Sequence, residues 1–109
     1  MMNDGMKYSR GDIVIIQFPF SDLTNAKKRP MVILAEIGND LIGCAITSNP
    51  NVDGIALEHF EEGTLPLKSK IKYWQIQTFL KSFVIRKIAK LTKKDYSELV
   101  AKINKLISW

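Results

Sequence analysis

The sequence predicts a mainly β fold with a terminal helix, in which several short strands wrap into a small, strongly curved barrel. Three observations lead there. Runs rich in β-branched residues, bounded by Pro, Gly and Asn, recur from Asp12 to Ile88. Apolar residues at helical spacing are confined to the last segment. The chain has 109 residues, the size of one domain, and curvature removes the exposed edges that short strands would otherwise leave.

The elements follow in order. Residues 1–9 read as a flexible terminus of a domain spanning 1–109. Ile13-Val14-Ile15-Ile16-Gln17-Phe18 after Asp12 is β-branched and apolar, a buried strand that Pro19 ends. Phe20 to Lys28 holds Ser, Asp, Thr and Asn and reads as a loop. Pro30 to Ala35 is a second buried strand, with Pro30 at its first position because proline has no N–H to donate. Gly38-Asn39-Asp40 is a hairpin turn, so Leu41 to Thr47 returns antiparallel to the second strand. Ser48 to Gly54 is a loop, Ile55 to Glu58 a short strand, and Glu61-Glu62-Gly63 a turn. Ser69 to Phe79 is a long strand, and Phe83 to Ile88 carries a weaker strand pattern. Thr92 and Asp95 have the spacing of a capping box. Tyr96, Leu99, Val100, Ile103, Leu106 and Ile107 then mark one face of a helix that covers the sheet.

Composition narrows the function. The apolar fraction is 46% and the charged fraction 25%, ordinary values that argue against disorder. No apolar run is long enough for a membrane helix, and Met1 to Arg10 lacks a signal-peptide core, so the expected location is the cytoplasm. One cysteine, Cys44, excludes an internal disulfide and reads as a buried small hydrophobe. With His59 as the one histidine, neither a tetrahedral zinc site nor a two-histidine acid–base pair is available, and no cofactor or metal is expected. The net charge of +5 divides into −4 up to Glu62 and +9 from Gly63 onward. The basic half suits a polyanion or an acidic partner, or a solvated lysine surface, since thirteen of the sixteen cations are Lys.

Two places suggest chemistry. Lys27-Lys28-Arg29-Pro30 runs a basic loop into a strand start, and a guanidinium can grip two phosphate oxygens. Thr47-Ser48 offers two hydroxyls at the end of the third strand. Counted from the Gly38-Asn39 turn, Arg29 and Thr47 lie at similar distances and should meet. The plainer readings are an ion pair of Arg29 with Asp22 or Asp12, and ordinary strand-end capping by Thr47 and Ser48.

Gly11-Asp12-Ile13-Val14, Phe18-Pro19-Phe20-Ser21-Asp22-Leu23, Lys28-Arg29-Pro30 with Val32-Ile33-Leu34, and Ala45-Ile46-Thr47-Ser48 together resemble the MazF/PemK/Kid toxins, ribonucleases of type II toxin–antitoxin systems. The resemblance runs on through Trp74-Gln75-Ile76-Gln77-Thr78 and the terminal helix. It implies an SH3-like barrel of the CcdB/MazF type. It also implies a metal-independent endoribonuclease that leaves a 2′,3′-cyclic phosphate and a 5′-hydroxyl on single-stranded RNA. Arg29 and Thr47 match the family's catalytic pair. Lys27, Lys28, Ser48, Lys72, Trp74 and Gln75 would contact RNA. The implied partners are a second copy of the chain and a cognate antitoxin with an acidic, extended segment, with DNA reached only through an antitoxin complex.

One departure stands out. Some relatives carry Arg-x-Asp-Gln where this chain has Lys72-Tyr73-Trp74-Gln75, so Trp74 replaces a carboxylate. Asp22 is a candidate substitute. Trp74 and Tyr73 either stack on a base or pack in the core or a dimer interface. Because the gyrase poison CcdB shares this fold without ribonuclease activity, a protein-binding toxin and a non-cleaving RNA-binding barrel remain alternatives.

Overall fold

The computed structural model describes residues 7–18 and 27–109. The expected frayed terminus (residues 1–6 of it), the strand stop at Pro19, and the loop of residues 20–26 with Asp22 lie outside the described residues. Among the described residues seven strands form one sheet: β1 (Asp12–Ile16), β2 (Arg29–Ile37), β3 (Asp40–Thr47), β4 (Ile55–Leu57), β5 (Phe60–Gly63), β6 (Ser69–Leu80) and β7 (Val84–Leu91). A single 3₁₀ turn, Lys81–Phe83, links β6 to β7, and helix α1 (Lys93–Ile107) follows.

The connectivity explains the curl. Across the sheet the order is β4-β6-β3-β2-β1-β7-β5, so β4 and β5 are its two edges. Yet Glu58 and His59 alone join them. A two-residue link reaches only about 11 Å between the flanking Cα atoms. The sheet must therefore bend until its edges approach, which gives the open barrel expected from the sequence.

Both faces of the sheet are covered. Ile13, Val32, Cys44, Ile46, Ile71 and Leu99 belong to one core cluster, while Val14, Ile16, Met31, Ile33, Leu41 and Phe79 belong to a second. Neighbours in a strand point to opposite faces, so burial on both sides requires unbroken apolar runs such as Ile13 to Ile16. In the β2–β3 hairpin Ile37 pairs with Asp40, leaving a two-residue turn. Gly38 takes φ +58°, the positive value that a first-position glycine supplies in a tight hairpin.

Several boundaries differ from the sequence reading. β2 starts at Arg29, so Pro30 is its second residue; it pairs with Ile15. Glu61-Glu62-Gly63 is not a turn but most of edge strand β5, paired with β7. Its glutamates face solvent, and Glu62 accepts a hydrogen bond from Lys87 Nζ at 3.0 Å. Lys87 also lies 3.3 Å from Asp12 Oδ1, and so ties β5 to β1 across β7. The weak pattern at Phe83 to Ile88 proves to be β7, which extends to Leu91.

The helix cap is as expected: Thr92 Oγ1 accepts the Asp95 N–H at 3.1 Å. The helix face is narrower than expected. Leu99 is fully buried, Tyr96 and Ile103 are half-buried against the first cluster, and Val100, Leu106 and Ile107 are exposed. A 15-residue helix is about 22 Å long and packs here mainly on β6 and β7, and its last turn leaves Leu106 and Ile107 exposed. Among the described residues no helix is long and apolar enough to cross a membrane.

Candidate functional site

Directly opposed residues of antiparallel strands share a face. β2 pairs with β3 through Met31 and Ala45, and continuing that register two residues sets Arg29 against Thr47. β3 pairs with β6 through Ala45 and Lys72, and through Gly43 and Gln77. Arg29, Thr47, Lys72 and Gln77 therefore rise on one face, that of the second core cluster. There they wall a cavity of about 400 Å³ with Gln75, together with the apolar Phe18, Met31 and Ala45.

Gln75 reaches this cavity through an irregularity. Residues three apart on a regular strand point to opposite faces. In β6, however, Lys72 pairs with Ala45 while Ile76 pairs with the adjoining Cys44, so residues 73–75 bulge out. The bulge turns Gln75 back beside Lys72, whose Nζ donates to Gln75 Oε1 at 3.1 Å. The Cys44 thiol donates to the Tyr73 carbonyl at 3.8 Å and helps hold the bulge. Burial pushes that thiol up to about 11, so it stays protonated and serves as a donor.

The hydroxyl of Thr47 is also oriented. Its Oγ1 accepts the Asn49 N–H at 3.1 Å, which leaves the O–H free to donate toward the cavity. Arg29 is exposed, and makes no ion pair with a described residue. Asp12 is not its partner: that carboxylate is buried, accepts the Ser9 N–H at 2.8 Å through Oδ2, and turns Oδ1 to Lys87 and Lys90. Among the described residues lining the cavity, the ionisable ones are Arg29 and Lys72, both cations. Two cations, a hydroxyl donor and two carboxamides around one hollow suit a phosphodiester.

The remaining candidates lie around this core. Lys27 and Lys28 are exposed just ahead of β2 and do not wall the cavity. Ser48 lines a second, larger hollow of about 810 Å³ that adjoins the first at Thr47 and includes Leu57, Phe60 and Leu65. Trp74, at the crest of the bulge, is 43% exposed and stands edge-to-face on Tyr73 at 5.1 Å, outside the cavity wall. His59 is exposed between β4 and β5. The sequence reading missed Gln77, Met31 and Phe18 as lining residues. The signal for Gln77 was its pairing with Gly43, which depends on a register that the bulge shifts.

Residues 9–107 match the family model of the PemK-like, MazF-like toxin of type II toxin–antitoxin systems. The chain belongs to this family. Solved MazF structures share its fold. A MazE–MazF complex from Deinococcus radiodurans superposes with a TM-score of 0.73 at 15% identity, over 92% of this chain and 95% of that one. An endoribonuclease in complex with its cognate antitoxin from a mycobacterial species gives 0.69 at 14% identity, over 95% and 93%. The Mycobacterium tuberculosis toxin MazF-mt6 gives 0.66 at 20% identity, over 90% and 99%. A search of curated proteins finds no match. At these identities the likeness establishes the PemK/MazF fold, a curled mainly β sheet with one C-terminal helix.

Proposed function

We propose that this PemK/MazF toxin is a metal-independent endoribonuclease acting on single-stranded RNA. The observation that carries the reading is the convergence of Arg29, Thr47 and Lys72, from three different strands, on one cavity. In the reaction the ribose 2′-hydroxyl gives up its proton and attacks the adjacent 3′-phosphorus. The bond to the 5′-oxygen breaks, that oxygen takes a proton, and a 2′,3′-cyclic phosphate and a 5′-hydroxyl result. Arg29 stabilises the charge on the five-coordinate phosphorus, with Thr47 donating to a phosphate oxygen. The guanidinium acts as a fixed cation that stabilises charge and not as a proton donor. Lys72 adds the second positive charge, and Gln75, its carbonyl engaged by Lys72, offers its NH₂ to the backbone. Lys27 and Lys28 attract RNA to the entrance, Ser48 holds the strand beyond Thr47, and exposed Trp74 stacks on an unpaired base.

The same reading extends to assembly. Residues 1–109 act as one domain in the cytoplasm. Two copies form a homodimer, and a cognate antitoxin covers the cationic face with an acidic segment. DNA is met only through that antitoxin complex. The mycobacterial and Deinococcus complexes with antitoxins support the partner class.

The test is incubation of the protein with single-stranded RNA in EDTA, followed by analysis of product ends. Cyclic-phosphate and 5′-hydroxyl ends are expected. Intact RNA together with inhibited gyrase supercoiling would replace this reading with that of a protein-binding toxin. Intact RNA that is nevertheless retained by the protein would point to a non-cleaving RNA-binding barrel.

A further inference from the structure

The connection from β3 to β4 has more chain than it needs. β3 ends at Thr47, β4 begins at Ile55, and the two strands flank β6. The gap between them is two strand spacings, about 10 Å, which residues 48–54 could span about twice over. The connection therefore arches over β6, and its internal hydrogen bonds do not fix where it lies. The Asn51 N–H donates to Asn49 Oδ1 at 2.9 Å and the Val52 N–H to the Asn49 carbonyl at 3.3 Å, both within the arch.

Lys70 ties this arch to the sheet. In the register it stands between Thr47 of β3 and Ala56 of β4, so its side chain rises on the same face as Thr47. Its Nζ donates to the Pro50 carbonyl at 3.3 Å and to the Val52 carbonyl at 3.0 Å. Among the described residues, these are the hydrogen bonds that hold the middle of the arch, residues 50–52, from outside it. Both have a charged donor, which makes them stronger than neutral ones. The arch also lands close on β6: a Cβ on Gly54 would meet the Ile71 carbonyl oxygen at 2.5 Å and the Lys70 Cβ at 3.2 Å.

The arch in turn holds Asn49, whose N–H donates to Thr47 Oγ1 at 3.1 Å. That bond occupies one lone pair of the hydroxyl and leaves its proton for the cavity that Arg29 and Lys72 share. We propose that Lys70 is a positioning residue for Thr47. By clamping the Pro50 and Val52 carbonyls it keeps the Asn49 amide on the Thr47 hydroxyl, and so keeps that hydroxyl aimed at the scissile phosphate. This rests on the reading above that RNA occupies the Arg29–Thr47 cavity. Lys70 acts on the loop and not on the phosphate, which separates its effect from that of Lys72.

The experiment reads the Asn49 amide directly, by NMR of its exchange with water, in the wild-type protein and in Lys70→Met, which keeps the apolar stem without the ammonium. Thr47→Val, which removes the acceptor, sets the unprotected rate, and exposed Lys94→Met controls for the loss of one positive charge. Asn49 exchange should quicken about tenfold in Lys70→Met, toward the Thr47→Val rate, and Lys70→Arg should restore protection. Lys70→Gln is read in the same way should the Met variant not fold. Cleavage by Lys70→Met should lose about tenfold in kcat with KM nearly unchanged, and little more should be lost when the change is made in the Thr47→Val background, because both act on one hydroxyl. Unchanged Asn49 exchange in a folded Lys70 variant, or additive losses of Lys70→Met and Thr47→Val, would overturn the proposal. A loss carried by KM with a weaker salt dependence would also overturn it, and make Lys70 a phosphate contact instead. Wild-type protein that cuts nothing, while Lys70→Met still frees the Asn49 amide, would refute the nuclease and leave the clamp on Thr47 standing.

Discussion

Replacing Arg29 with Ala separates the chemistry of the cavity from the stability of the fold. Arg29 is the first residue of β2, exposed, and in no ion pair with a described residue. Its removal leaves no buried group unpaired and no void in either core cluster, so the fold should shift by no more than about 0.5 kcal/mol. The effect on the reaction should be far larger. A fixed donor aimed at developing charge is typically worth about 10²–10³ in rate, or roughly 2.7–4 kcal/mol of barrier. Lys72 occupies the same wall and still supplies one cation, which argues for a loss at the lower end of that range. Arg29→Lys should recover part of it, because an ammonium keeps the charge and loses the two-pronged grip. The assay is single-turnover cleavage of a fluorescent oligonucleotide, with thermal melting as the control for folding. Parental cleavage by a folded Arg29→Ala protein would refute the placement of the reaction in this cavity. A large drop in Tm would instead show that Arg29 carries structure that the exposed strand start does not reveal.

Three further outcomes are expected. Thr47→Val keeps the shape of the side chain but removes the O–H donor and the acceptor of the Asn49 N–H; cleavage should fall at least tenfold, with a stability loss of about 1 kcal/mol read from denaturant titration. Leu99→Ala empties the fully buried anchor of α1, and should cost about 2–5 kcal/mol in the same titration; a loss under 1 kcal/mol would show that the helix is not held by this contact. The Glu36 carboxyl is held below its usual range, first by the Tyr8 N–H it accepts at 2.8 Å and then by Lys81 at 3.1 Å. A depressed folded pKa stabilises the protein above the unfolded value, and the gain is lost as pH falls through the folded one. Wild-type protein should therefore lose more stability than Glu36→Gln on acidification below the ordinary carboxylate range, and parallel pH–stability curves would argue against it.

The strands, the hairpin and the helix cap were legible because each is a local matter. Unbroken β-branched runs must be buried on both faces, Gly38 permits the positive φ of a tight turn, and Thr92 can satisfy the Asp95 amide three residues on. The hairpin arithmetic that set Arg29 against Thr47 worked for the same reason: β2 and β3 adjoin in the chain, so counting from the turn comes close to the register. Beyond one hairpin that reasoning stops. Glu61 to Gly63 reads as a turn because two glutamates and a glycine carry no strand signal, and only pairing with distant β7 makes them an edge strand. Gln75 and Lys72, three apart, would lie on opposite faces of a regular strand. The bulge at residues 73–75, held partly by the Cys44 thiol from another strand, brings them to 3.1 Å and sends Trp74 outward. The sequence by itself determined which residue types and local elements were present, because propensity, capping and turn chemistry act over a few residues. Which side chains share a face was decided only by the tertiary structure, because a strand's register answers to partners far along the chain, and one bulge reverses every face after it.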